Sequence, residues 1–110
     1  MRIKMEREVF EIKETYCNKT ANHIIGENSI PIQDSIIQNL KELFTYGRKH
    51  FGRCVSRVYI DKKDGSKMAI GYVFEKKMQY EDTKEYYTQE VWLTIEHYKE
   101  TKTREYFQVK

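Results

Sequence analysis

Proline is nearly missing from this chain, Pro31 being the only one, and glycine is sparse at five residues. Flexible linkers are rich in such residues or in serine, and no linker, repeat or low-complexity tract is visible. Long apolar runs are missing too, with nothing near the ~20 residues of a membrane span. The opening stretch, Met1-Arg2-Ile3-Lys4-Met5-Glu6-Arg7-Glu8, alternates charge and has no apolar core of the kind a signal peptide needs. A cytoplasmic chain with no membrane contact is expected. There are two cysteines, Cys17 and Cys54, with no Cys-x-x-Cys pair and no histidine at metal-ligand spacing. They read as reduced thiols, and two positions alone do not say whether they meet. Phosphate loops are missing as well. Gly47 and Gly52 have the wider glycine spacing, but no Lys-Ser/Thr follows and a helix precedes them. No cofactor and no metal are expected.

An excess of one charge is also lacking. Twenty Lys and Arg against 17 Asp and Glu leave a net charge of +3 and a pI near 8.8. A dedicated nucleic-acid binder has a domain pI above about 9 and clustered cations. Any basic surface here must come from arrangement.

What the chain does have is rings. Aromatic residues make up 14%, nine of them tyrosines, which separates it from disordered sequences. Its 110 residues suit a single domain, 1–110, with one modest core.

Residues 2–16 read as a strand. Ile3 and Met5 share one parity, and Phe10, Ile12 and Tyr16 the other, which predicts a bulge near Glu8-Val9 or two short strands. Residues 17–30, rich in Asn, Gly and Ser, read as a loop. The spacing of Ile32, Ile36, Leu40, Leu43 and Phe44 predicts a helix over 30–46, capped by Ser29 and stopped by Gly47. From Cys54 the period becomes two. Strands are expected at 54–61, 67–80, 85–98 and 103–109, the last with Phe107 and Val109 inward, joined by turns at Asp64-Gly65, 81–84 and 99–102. Met68, Ile70, Tyr72 and Phe74 should point one way, and Ala69, Gly71 and Val73 the other.

These elements predict an α+β fold. A curved antiparallel sheet of four or five strands carries one helix on one face, in the order β-α-β-β-β-β. That order is similar to cystatin-like folds as an architectural analogy only. The cystatin inhibitor motif, a Gln-x-Val-x-Gly hairpin tip, is absent, and the matching tip reads Lys62-Lys63-Asp64-Gly65.

No catalytic constellation emerges. His23, His50 and His97 have no nucleophile or acid at a recognised spacing. His97 shares a face with Leu93 and Ile95 and reads as a core-edge residue. A non-enzymatic chain is expected. Two features suit binding. Tyr86, Trp92 and Tyr98 fall on one face of the 85–98 strand, and tyrosine and tryptophan are enriched at protein interfaces. They point to a protein-binding module, a small inhibitor or adaptor of the kind mobile elements encode, with another protein or a second copy as partner. The alternative is a nucleic-acid-binding module built on Arg48, Lys49, Arg53 and Arg57, interleaved with Tyr46, Phe51 and Tyr59.

Overall fold

A computed structural model describes residues 2–105, with side chains from 5 to 101. Among the described residues, one α-helix lies on one face of a five-stranded antiparallel sheet, which is the α+β class that the patterning predicts. The strands are β1 (Arg2–Asn18), β2 (His23–Pro31), β3 (Arg53–Asp61), β4 (Lys67–Gln79) and β5 (Tyr86–Glu105), and the helix α1 is Leu40–Phe51. Across the sheet they run β2-β1-β5-β4-β3, an open order.

The elements are distributed differently from the expected β-α-β-β-β-β. Two strands precede the helix and three follow it. The segment 17–30 is a hairpin rather than a loop. Asn18 Oδ1 accepts the Ala21 N–H at 2.9 Å, and Asn22 takes φ 57°, a left-handed position that asparagine tolerates. The β2 strand that follows is exposed over most of its length, so its alternation is weak.

The helix also starts later than its apolar spacing implies. Pro31 ends β2, and a 3-10 turn covers Ile32–Asp34. Gln38 Nε2 donates to the carbonyls of Ile32 and Ser35 at 2.7 and 2.6 Å, and Ser35 Oγ accepts the Ile37 N–H at 3.0 Å. Side chains thus satisfy backbone groups that a helix would have paired. The cap is Asn39 rather than Ser29. Its side chain accepts the Glu42 N–H at 2.9 Å, and Glu42 in return accepts from Asn39 Nδ2 and the Gln38 N–H. Gly47, expected as the stop, is buried inside the helix. The stop is Gly52, at φ 109°.

At the other end of the chain, β5 runs unbroken through the turn expected at 99–102. Phe107 and Val109 lie outside the described residues. The cause is β1, which offers a partner to every residue from Gln89 to Glu105 without a register shift. The same register removes the bulge expected near Glu8-Val9, so Met5 and Phe10 face opposite sides. Bulges occur instead in both edge strands, where Ile25 in β2 and Val55 in β3 are left without cross-strand partners.

The helix covers the face formed by Ile12, Tyr72, Phe74 and Leu93. Ile12, Ile37, Leu43, Phe74 and Leu93 form the buried cluster, with Phe44 and Tyr46 packed at its margin. Gly47 meets the sheet most closely, since a Cβ there would lie 2.1 Å from the Phe74 ring. Gly47→Ala would gain about 1 kcal/mol of intrinsic helix propensity. Against that, the fully buried Phe74 ring has no room to yield, and overpacking costs about 1–3 kcal/mol. The expected outcome is a net destabilisation of up to about 2 kcal/mol, read as a lower urea midpoint. An unchanged or raised midpoint would contradict this packing.

Candidate binding face of the sheet

The side of the sheet without the helix is laid out by register. Row by row from β2 to β3, the cross-strand neighbours are Ile24, Cys17, Glu90, Glu75 and Arg53; then Glu27, Thr15, Trp92, Val73 and Ser56; then Ser29, Lys13, Thr94, Gly71 and Val58; then Pro31, Glu11, Glu96, Ala69 and Ile60. A groove of about 430 Å³ crosses this face, lined from all five strands. Its floor is apolar at Val58 and Ala69, both buried although no helix covers them. Trp92 is 40% exposed, and its Nε1 donates to Glu90 Oε1 at 2.6 Å, which fixes the indole along its own strand. Ile24 and Ile60, on opposite edge strands, are both exposed at the rims.

Carboxylates sit at both ends of that floor. Glu75 and Glu90 are direct cross-strand neighbours. Lys19 reaches them at 3.2 and 3.9 Å, and Arg53 pairs with Glu75 at 2.9 Å. Arg53 and Lys19 hold the Glu75 carboxyl below the ordinary carboxylate range. At the other end Glu11 faces Glu96, and Lys67 pairs with the nearly buried Glu96 at 3.2 Å. Two groups on this face titrate above their usual values. Burial raises the Cys17 thiol, and Glu90 and Glu27 raise it further. Partial burial raises the Tyr98 phenol, with Glu11, Glu100 and Glu96 adding to the effect.

Tyr86, Trp92 and Tyr98 do share this face. Six residues separate each from the next, roughly 20 Å of strand. Only Trp92 of the three lines the groove. Tyr86 lies under the ammonium of Lys77 at 5.0 Å, far along β5. The alternation of Ala69, Gly71 and Val73 marks this side of β4 in the sequence, and Ala69 is the one of the three that lines the groove. Ile24 had no such signal, because the composition of 17–30 reads as a loop, and Lys13 and Thr15 are polar positions of a strand whose apolar residues mark its other face.

The basic cluster does not converge. Arg48 lies over the Phe44 ring at 5.9 Å on one flank of α1. Lys49 lines a separate concavity of about 540 Å³ beside Tyr46 and Ile36. Arg53 is tied to Glu75 on the open face, whereas Arg57 is the neighbour of Tyr72 and so lies on the helix side. The Val55 bulge is what separates these two arginines. Tyr46 and Phe51 pack against the core rather than presenting stacking surfaces.

His97 stacks on Phe10, with ring centroids 4.1 Å apart. Its Nε2 makes no hydrogen bond and lies 3.8 Å from Glu8. Among the described residues no group of three His, Cys, Asp or Glu is placed to hold a metal ion, and no helix is long and apolar enough to cross a membrane. Cys17 lines the open groove while Cys54 packs against the helix-side core, so the sheet lies between the two thiols. Comparison with protein-family models, curated proteins and solved structures gives no match to this chain.

Two measurements test this layout. In a Cys54→Ser variant, iodoacetamide alkylation of Cys17 is expected to rise only above the ordinary thiol range, since the raised value keeps the group protonated to higher pH. Glu90→Gln should move the profile part of the way back. A profile like that of an unhindered thiol would contradict the site. With the cations pointing apart, anisotropy titrations against single- and double-stranded DNA and RNA at near-physiological salt should show binding no tighter than about 100 µM. Micromolar binding lost on charge reversal of Arg48 and Arg57 would restore the nucleic-acid alternative.

Proposed function

We propose that this chain is a non-enzymatic protein-binding module, an inhibitor or adaptor, that docks a partner on the helix-free face of its sheet. One observation carries the reading. A half-exposed tryptophan, held in place by Glu90, stands in a groove to which all five strands contribute. Tryptophan is the residue most enriched among interface hot spots, and an anchor already fixed before binding loses little side-chain freedom. The floor under it is made of strands rather than loops, so the contact surface is rigid before any partner arrives. A second copy of the chain is one form such a partner takes.

Trp92→Ala tests the proposal. The expected result is loss of partner capture from extracts of the producing cells, by about 30-fold or more in affinity, which corresponds to about 2 kcal/mol. Urea unfolding of the same variant separates loss of the anchor from loss of the fold. Capture unchanged in a folded Trp92→Ala variant would end the proposal.

A further inference from the structure

On the other side of the sheet, one flank of α1 carries two residues that the fold does not use. They border the concavity of about 540 Å³, whose nine lining residues all fall between Ile36 and His50. From Asn39 to His50 this surface follows the helix for about 17 Å. Pockets for small molecules enclose most of their ligand. A surface made by one helix flank and the turn before it lacks the opposite wall, and a second helix laid alongside supplies one.

Ile36 is the first of the two. It is 81% exposed, the most exposed large apolar side chain among the described residues, while Ile37 beside it is buried in the core. Lys41 is the second. It stands in the first turn of α1, where the positive end of the helix dipole disfavours a cation, and among the described residues its ammonium has no ion pair. Lys49, about two turns further along the same flank, is unpaired as well. Thr45 between them turns its hydroxyl back to the Lys41 carbonyl at 3.0 Å. The one carboxylate of the lining, Glu42, is already engaged. One oxygen accepts from Asn39 Nδ2 at 3.0 Å and the other accepts the Gln38 N–H at 3.2 Å. Asp34, in the turn before, lines no part of the surface. Over the whole of α1, Lys41, Arg48 and Lys49 stand against Glu42 alone. The negative end of the dipole explains Arg48 and Lys49, but it does not explain Lys41. Residues that break a local rule gather where a function requires them, and here a disfavoured cation and an unburied isoleucine border one surface.

We infer that this flank of α1 receives an acidic amphipathic helix of a partner protein, its apolar side seated on Ile36 and Tyr46 and its Asp or Glu side chains reaching Lys41 and Lys49. The experiment titrates the whole chain into a fluorescently labelled peptide of about 15 residues, long enough to follow the flank, made of Leu, Ala and Glu at amphipathic spacing. A matched peptide with Lys in place of Glu is titrated in parallel, and anisotropy is read at low and near-physiological salt. The expected result is saturable binding of the Glu peptide that weakens with salt, and at least tenfold weaker binding of the Lys peptide. The double variant Lys41→Gln, Lys49→Gln should bind the Glu peptide roughly fivefold more weakly, the loss of two exposed pairs. Lys41→Gln alone should weaken binding while leaving the urea midpoint unchanged or raised. Ile36→Ser should weaken it with the midpoint unchanged, because the side chain is exposed. Trp92→Ala should bind the peptide as the parent chain does, which separates this site from the open face. Equal binding of the two peptides would overturn the inference, and so would Glu-peptide binding untouched by the double variant. A lowered midpoint in Lys41→Gln would give that lysine a role in the fold and overturn it too. Loss of the Glu peptide in Trp92→Ala would move the peptide to the open face, and silence with both peptides would leave the flank without a ligand; either result overturns the inference. None of these outcomes bears on partner capture through Trp92.

Discussion

How close one helix can come to the sheet decides most of this structure. Gly47 sits where α1 crosses β4, and the absence of a side chain lets the helix rest on the Phe74 ring. With the axis that low, Leu43 is fully buried, and Phe44 reaches Tyr72 and Phe74 with ring centroids 5.0 and 6.2 Å away. Ile12 and Leu93 complete the cluster from the two central strands. A twelve-residue helix is marginal alone and takes its stability from such packing. The position of the helix also fixes which side of the sheet is left bare.

The sequence made some of this legible. Period-two alternation in 67–80 and 85–98 set Phe74 opposite Val73 and Leu93 opposite Trp92 within their own strands, and the structure keeps both alternations. Alternation works there because central strands bury one face continuously. It was weakest at the edge strand β2, where exposure removes the apolar signal. The helix start misled for a different reason. Ile32 and Ile36 continue the apolar spacing of Leu40 and Phe44, but Ile36 is exposed, while the Asn39–Glu42 cap carried the true boundary. Gly47 looked like punctuation because a glycine serving a close approach is indistinguishable in sequence from one ending a helix. The candidate face was legible only at Trp92 and in the small-residue alternation of Ala69, Gly71 and Val73. Its walls come from β1, β2 and β3, and only the strand order shows that these flank β5 and β4.

The two sides of the sheet divide the chain's chemistry. Large rings gather on the helix side, where Phe44, Tyr72 and Phe74 interlock. Small and branched residues gather on the other, with Trp92 as its one large ring within the groove. The cations that looked clustered in sequence are distributed over both sides, since the Val55 bulge turns Arg53 and Arg57 opposite ways. Strand geometry thus converts one run of similar residues into two different surfaces.

Both outer strands carry one residue more than their neighbours can match, Ile25 on one side and Val55 on the other. A bulged edge is a poor template, because another strand laid against it falls out of step within a few residues. The ladder therefore has a stop at each end. Growth of the sheet by strand addition is thereby disfavoured at both edges.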